Sequence, residues 1–303
     1  MDRLIEKIVK MENPSVVGLD PKLSYIPDYI KKMSMDLFGN TPKAAAHAIF
    51  QFNMQIIDAV CDVVPAVKPQ IAYYELYGSC GIRALEKTIS HAKSRGMYVI
   101  TDGKRNDIGP TMEAYCQAYL GDSELFCNKK YSAFGSDALT VNAYLGSDCV
   151  KPFLKKCDEC DKSIFVLLKT SNLSSKELQD EKLIGGETIC ERVGKMCEEW
   201  GKNCIGKYGY SRVGAVVGAT YPKELKNFRQ QFPHTFFLIP GYGAQGGKAK
   251  DVAFAFNNGL GAIVNSSRSI LCAWKKNDCL PEKFAVEARI EALRMKDDII
   301  SKL

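Results

Sequence analysis

Short apolar runs that end in polar residues alternate along the chain with longer stretches of helical periodicity. Eight such runs read as strands buried on both faces: 16–20, 65–70, 97–102, 138–142, 163–170, 213–220, 235–241 and 261–266. Between them, apolar residues recur at helical spacing over 1–10, 44–60, 80–95, 112–119 and 188–200, from Lys223 onward, near 249–256, and over 282–302. Thr41-Pro42 supplies an N-cap and first-turn pair for the second of these. Strands alternating with helices, with no interdomain linker, predict one (β/α)8 TIM barrel over 16–271. An extra N-terminal helix lies in 1–12 and an extra C-terminal helix in 281–303. A doubly wound open sheet is the alternative, but its G-x-G-x-x-G turn is missing after the first strand.

The polar residues that close the runs form a second pattern: Asp20, Lys68 with Gln70, Asp102 with Lys104, Asn142, Thr170 with Ser171, Thr220, and Ser266 with Arg268. In a barrel these positions share the C-terminal rim, where barrel enzymes build their sites. The densest is Thr101-Asp102-Gly103-Lys104-Arg105-Asn106-Asp107-Ile108. Period-2 alternation turns Asp102 and Lys104 to one face and Gly103 to the other, with Asp107 in the loop beyond. The last two strands end in Pro240-Gly241-Tyr242-Gly243-Ala244-Gln245-Gly246-Gly247 and Asn265-Ser266-Ser267-Arg268. Glycines let backbone N–H groups approach a phosphate, and an arginine grips two of its oxygens. Phosphate sites of such barrels lie after strands seven and eight.

Composition narrows the chemistry. A net charge of +6 over 303 residues favours an anionic small molecule, while the lack of a long basic run argues against nucleic acid. The N-terminal helix carries charges throughout, unlike a signal peptide, and no window reaches ~18 apolar residues, so no membrane partner is expected. Twelve scattered cysteines fit reduced thiols and a cytoplasmic location. Cys157-Asp158-Glu159-Cys160 is a lone C-x-x-C, expected as a reduced surface pair, and His47, His91 and His234 fall away from the rim. No Ser–His–Asp set is recognisable, which leaves lysine and aspartate chemistry on a phosphorylated substrate, without an evident metal site or cofactor.

Taken together, Leu19-Asp20-Pro21, Val67-Lys68-Pro69-Gln70, Asp102-Gly103-Lys104-Arg105-Asn106-Asp107-Ile108, Pro240-Gly241-Tyr242-Gly243-Ala244-Gln245 and Ser266-Ser267-Arg268 resemble the orotidine 5′-monophosphate decarboxylase family, in family order. The resemblance implies a cofactor-free, metal-free carboxy-lyase acting on orotidine 5′-monophosphate. Lys68, Asp102, Lys104 and Asp107 would form a charge array in which Lys104 stabilises and protonates a carbanion at C6. It also implies a homodimer, with Asp107, Ile108 and Thr111 reaching the partner's site. Asp20 would hold the ribose hydroxyls, either Thr170 or Ser171 the pyrimidine ring, and Gln245, Arg268, Gly241 and Gly243 the phosphate. Gln70, Asn142 and Pro240 would complete the pocket.

Two other readings stay open at this point: a sugar-phosphate aldolase or epimerase with Lys104 as Schiff-base nucleophile, and a catalytically silent nucleotide-phosphate sensor or structural barrel. Segments 172–186 and 241–249 are candidate lids, and 201–212 reads as a polar loop with no assigned role.

Overall fold

The computed structural model describes residues 1–303. Eight parallel strands close into a barrel: β1 Ser15–Leu19, β2 Ala66–Pro69, β3 Tyr98–Arg105, β4 Ala138–Val141, β5 Ser163–Lys169, β6 Val213–Val217, β7 Phe237–Ile239 and β8 Ala262–Ser266. Each pairs with its sequence neighbours and β8 pairs with β1, so the molecule is a (β/α)8 TIM barrel. The expected helices are present, among them Pro42–Val60 with Thr41 as its N-cap and Ile189–Gly201 with a Thr188–Glu191 capping box. Two helices of ten residues or more lie outside the sequence-based expectation, Asp28–Phe38 and Lys151–Cys160, as do several four-residue helices and a small antiparallel ribbon pairing Ser123–Glu124 with Lys130–Tyr131. No helix is long and apolar enough to cross a membrane.

The helix Lys151–Cys160 corrects the expectation of a surface C-x-x-C. Cys157 takes the helix's inner face, fully buried among core side chains, and Cys160 is half-exposed. Burial pushes the Cys157 thiol far up, so it behaves as an inert apolar group.

Side-chain parity divides the strands between two cores. Val17, Leu19, Val67, Val99, Leu139, Val141, Val166 and Val264 face outward and pack under the helices. Val16, Ala66, Tyr98, Ile100, Ala138, Phe165, Leu238 and Ile263 face inward and fill the barrel. That inner core is continued at the floor by Met1, Leu4, Ile5 and Ile8, the apolar face of the N-terminal helix Asp2–Met11. The extra helix is therefore a plug for the N-terminal end of the barrel. Segment 201–212 braces it: the Lys207 N–H donates to Asp2 Oδ2 at 3.0 Å, Lys207 pairs with Glu6 at 2.7 Å, and Tyr210 joins the floor cluster.

The outer packing is tight enough to test. Gly194, inside the helix Ile189–Gly201, faces the buried ring of Phe232, and a Cβ there would lie 2.1 Å from it. Glycine to alanine in a helix gains about 1 kcal/mol in propensity, whereas overpacking a full core costs about 1–3 kcal/mol. Gly194→Ala is expected to lower the denaturant midpoint despite the better helix former, with kinetics unchanged below the transition. An unchanged or raised midpoint would refute the packing argument.

Candidate active site

Continuing the inward parity of each strand one or two steps past the apolar core reaches the polar rim. Ala66 leads to Lys68 and Gln70, Ile100 to Asp102, Ala138 to Thr140 and Asn142, Leu238 to Pro240, and Ile263 to Asn265. Asp102 is the centre. Its Oδ2 accepts from Lys68 Nζ at 2.7 Å and Gln70 Nε2 at 2.9 Å. Its Oδ1 accepts from Lys104 Nζ at 2.6 Å and Thr140 Oγ1 at 2.8 Å. A nearly buried carboxylate thus has four donors, contributed by β2, β3, β4 and the bridge residue that follows β2.

The charges follow from this geometry. Burial disfavours the ionised Asp102, but the ammonium groups of Lys68 and Lys104 and their hydrogen bonds outweigh it and hold the carboxyl far below the usual range. Burial likewise works against the Lys68 ammonium, and Asp102 with Asp20 more than compensates, raising its pKa. Lys68 is 5% exposed at its side chain and Lys104 is 45% exposed, so the first is a fixed structural cation and the second points into open space.

Lys104 reaches Asp102 by a route that regular alternation does not anticipate. The register of β3 against β4 breaks between Thr101 and Arg105, and Lys104 adopts a left-handed φ of 47°. Its N–H donates to Thr140 Oγ1 at 3.0 Å. The two side chains meet because the strand bulges, which adds twist and re-aims a side chain.

The rim encloses a cavity of about 340 Å³ lined by Asp20, Lys68, Gln70, Asp102, Pro240, Gly241, Gln245 and Arg268. Lys22, Tyr25 and Tyr73, which sequence reasoning missed, also line it, as do Asn265 and Ser267 of the last strand's end, to which it gave no individual role. Asn265 was legible by parity; the others sit on loops or strand ends without periodic signal. Asp20 Oδ1 and Asn265 Oδ1 are buried acceptors with no partner. A larger groove of about 490 Å³ lies beside the helix Asp28–Phe38, but it holds no rim residue and no part of the array.

The glycine-rich turn is folded on itself. Gly241 and Gly243 take φ of 99° and 74°, which only glycine adopts freely, and the Gly246 N–H bonds the Gly243 carbonyl at 2.9 Å. Arg268 Nη2 donates to the Ala244 carbonyl at 2.8 Å, and Ser171 Oγ donates to Gln245 Oε1 at 2.9 Å. Tyr242, in the same turn, bonds through its hydroxyl to Asp298 on the helix Phe284–Ile300. Thr170 is turned away: its N–H and hydroxyl both engage Gln179, and Lys169 pairs with Asp180 beneath the same segment. Asn142 is drawn into a turn, its Oδ1 accepting the Tyr144 N–H at 2.9 Å, and it does not line the cavity.

Asp107 makes no ion pair within its own chain; its Oδ1 accepts the Ile108 N–H at 2.8 Å. Ile108 and Thr111 are exposed beside it, at the start of the helix Gly109–Leu120. The three histidines lie off the rim, against Ser34 Oγ, Asp58 and the Gly209 carbonyl.

The chain matches the Orotidine 5′-phosphate decarboxylase / HUMPS family over residues 17–277. It is 45% identical over 275 residues to an orotidine 5′-phosphate decarboxylase of Caldicellulosiruptor bescii, covering 90% of each chain. It is 46% identical over 282 residues to that of Rhodopirellula baltica, covering 93% of this chain and 89% of the other. Among solved structures, Leishmania donovani OMP decarboxylase superposes with a TM-score of 0.74 at 28% identity, over 99% of this chain and 97% of that one.

The ion pairs also fix a stability prediction. A carboxyl with a lowered folded pKa stabilises above its unfolded value and loses that as pH falls; a lysine with a raised one stabilises below its unfolded value and loses that as pH rises. The Asp102–Lys68 pair therefore contributes fully between about pH 5 and pH 9. Asp102→Asn strands the buried Lys68 ammonium and should cost about 3–5 kcal/mol in urea unfolding at pH 7, most of it recovered in Asp102→Asn/Lys68→Met. Equal stabilities for wild type and the single variant would contradict a buried charged pair.

Proposed function

The chain belongs to the orotidine 5′-phosphate decarboxylase family and converts orotidine 5′-monophosphate to uridine 5′-monophosphate and CO2; from that premise we propose how its residues divide the work. The observation that carries the reading is Lys104, half-exposed on a bulged strand end and pinned at 2.6 Å to Asp102, which lines a cavity together with the glycine-rich turn. The phosphate sits on Arg268, Gln245 and the backbone of Gly241 and Gly243. The ribose hydroxyls donate to Asp20, whose Oδ1 is buried without a partner. Ser171 faces the pyrimidine ring and is preferred over Thr170 because Thr170 is engaged by Gln179, while Ser171 already touches Gln245. Pro240 and Gln70 complete the wall, Gln70 also through its hydrogen bond to Asp102.

The C6–carboxylate bond breaks heterolytically. CO2 leaves, the electron pair stays on C6, and the Lys104 ammonium lies beside the developing charge and gives it a proton. The amine left behind is reprotonated from solvent. No attached group accepts the pair, so the stabilisation is electrostatic and must be in place beforehand. Attack of a neutral Lys104 amine on a carbonyl fits less well, since a Schiff base would break the ion pair on which the bulge is built.

A second copy completes the site. Asp107, which meets no cation of its own chain, and Ile108 and Thr111 extend into the partner's cavity. Leu76, Ile108, Tyr144 and Leu145, in the segments after β2, β3 and β4, are 72%, 56%, 77% and 45% exposed, apolar side chains on the rim side that a second subunit would cover. The twelve free thiols fit a cytoplasmic setting.

Lys104→Ala should lose at least about a hundredfold in decarboxylation, read from the pyrimidine absorbance; a smaller loss would falsify the donor role. Lys104→Ala and Asp107→Ala, each inactive, should regain partial activity when mixed and re-dimerised. No recovery despite confirmed subunit exchange would eliminate the shared site. Arg268→Ala should raise KM for the nucleotide by about 10- to 100-fold while turnover of the bare nucleoside is unchanged, and equal effects on both would remove Arg268 from the phosphate site.

A further inference from the structure

One buried hydroxyl at the centre of the array has no task in the mechanism above. We propose that Thr140 is a positioning residue for decarboxylation: it locks the Lys104 backbone in its left-handed turn and fixes the Asp102 oxygen that Lys104 grips. This rests on the reading of Lys104 as the proton donor.

Thr140 is 1% exposed and faces inward on β4. Its Oγ1 accepts the Lys104 N–H at 3.0 Å and donates to Asp102 Oδ1 at 2.8 Å. The direction is fixed by chemistry, because an ionised carboxylate only accepts and a backbone N–H only donates. Asp102 Oδ1 in turn accepts from Lys104 Nζ at 2.6 Å. A ring closes through main chain and side chain of the same lysine: Lys104 N–H, Thr140 Oγ1, Asp102 Oδ1, Lys104 Nζ.

The ring matters because of where it sits. At φ 47° Lys104 occupies a region that non-glycine residues hold only when their surroundings impose it. The β3–β4 register is broken between Thr101 and Arg105, and there the Thr140 hydroxyl stands where a ladder carbonyl would otherwise accept the N–H. It also holds Asp102 Oδ1 from the side opposite Lys68 and Gln70, which occupy Oδ2. Neither the bulge nor the carboxylate can rotate without breaking a bond to Thr140. If Thr140 were there only to fill volume, valine, with the same branched shape, would replace it.

The experiment compares Thr140→Val and Thr140→Ser in the full-length protein. It measures kcat and KM for orotidine 5′-monophosphate, binding of uridine 5′-monophosphate, and exchange of that product's C6 proton for deuterium in D2O. Thr140→Val should lower kcat by about 10- to 100-fold and slow the exchange in parallel, with KM and product binding held within about threefold; Thr140→Ser should recover most of both. Wild-type kcat and exchange in Thr140→Val would overturn the proposal, as would a loss that serine does not rescue, or one matched by an equal loss of product binding. Lys104→Ala serves as the reference. If it keeps its activity, the reading of Lys104 fails, whereas an inactive Lys104→Ala beside a fully active Thr140→Val removes Thr140 alone.

Discussion

A carboxylate that would be unfavourable alone in the barrel mouth is made stable by four donors, and the site is arranged around that requirement. Asp102 binds two ammonium groups, an amide and a hydroxyl, and in doing so ties three neighbouring strands together at the rim. The arrangement is both structural and chemical. Lys68 balances the buried charge and is itself buried, which frees Lys104 to stand half-exposed without leaving Asp102 uncompensated. Two unit charges about 4 Å apart interact by about 4 kcal/mol at an effective dielectric near 20, whereas enzymes lower barriers by roughly 8–23 kcal/mol. The array alone is too weak for the whole task. On the proposed assignment, binding energy from the phosphate and ribose ends, through Arg268, Gln245 and Asp20, would supply much of the rest by holding C6 against the lysine.

The barrel separates the two demands spatially. Its floor is sealed by the apolar face of the helix Asp2–Met11, braced by segment 201–212, and carries stability. Its rim carries the charges, the unpartnered acceptors of Asp20 and Asn265, and the strained backbone of Lys104. The apolar interior between them isolates one from the other, so rim residues can be poor choices for stability without undoing the fold.

Much of this was legible in the chain, because a buried parallel strand leaves a run of β-branched and apolar residues that little else imitates. All eight barrel strands coincide with runs read from sequence, although β1 begins one residue earlier, at Ser15, and β3 runs on to Arg105, and period 2 places Lys68, Asp102 and Gln70 on the inner wall. It failed where the backbone departs from period 2. Lys104 and Asp102 share a face, as alternation suggested, but through a bulge and a left-handed residue that no local pattern announces. Thr140 was within reach: it continues the parity of Ala138, yet a threonine inside an apolar strand reads as ordinary β-propensity. The helix Lys151–Cys160 was obscured by its charge, since only Phe153 and Cys157 of its residues are buried. Asp107, Ile108 and Thr111 are a different case: a single chain leaves the first partly exposed and the other two exposed whatever their role.

The bond from Tyr242 to Asp298 spans 56 residues of sequence and links the glycine-rich turn to a helix that lies beyond the last strand. During synthesis, then, β8 emerges and can close the barrel before the turn's outer anchor has been made. A chain that has closed its barrel thus still has this tether between the turn and the last helix to form.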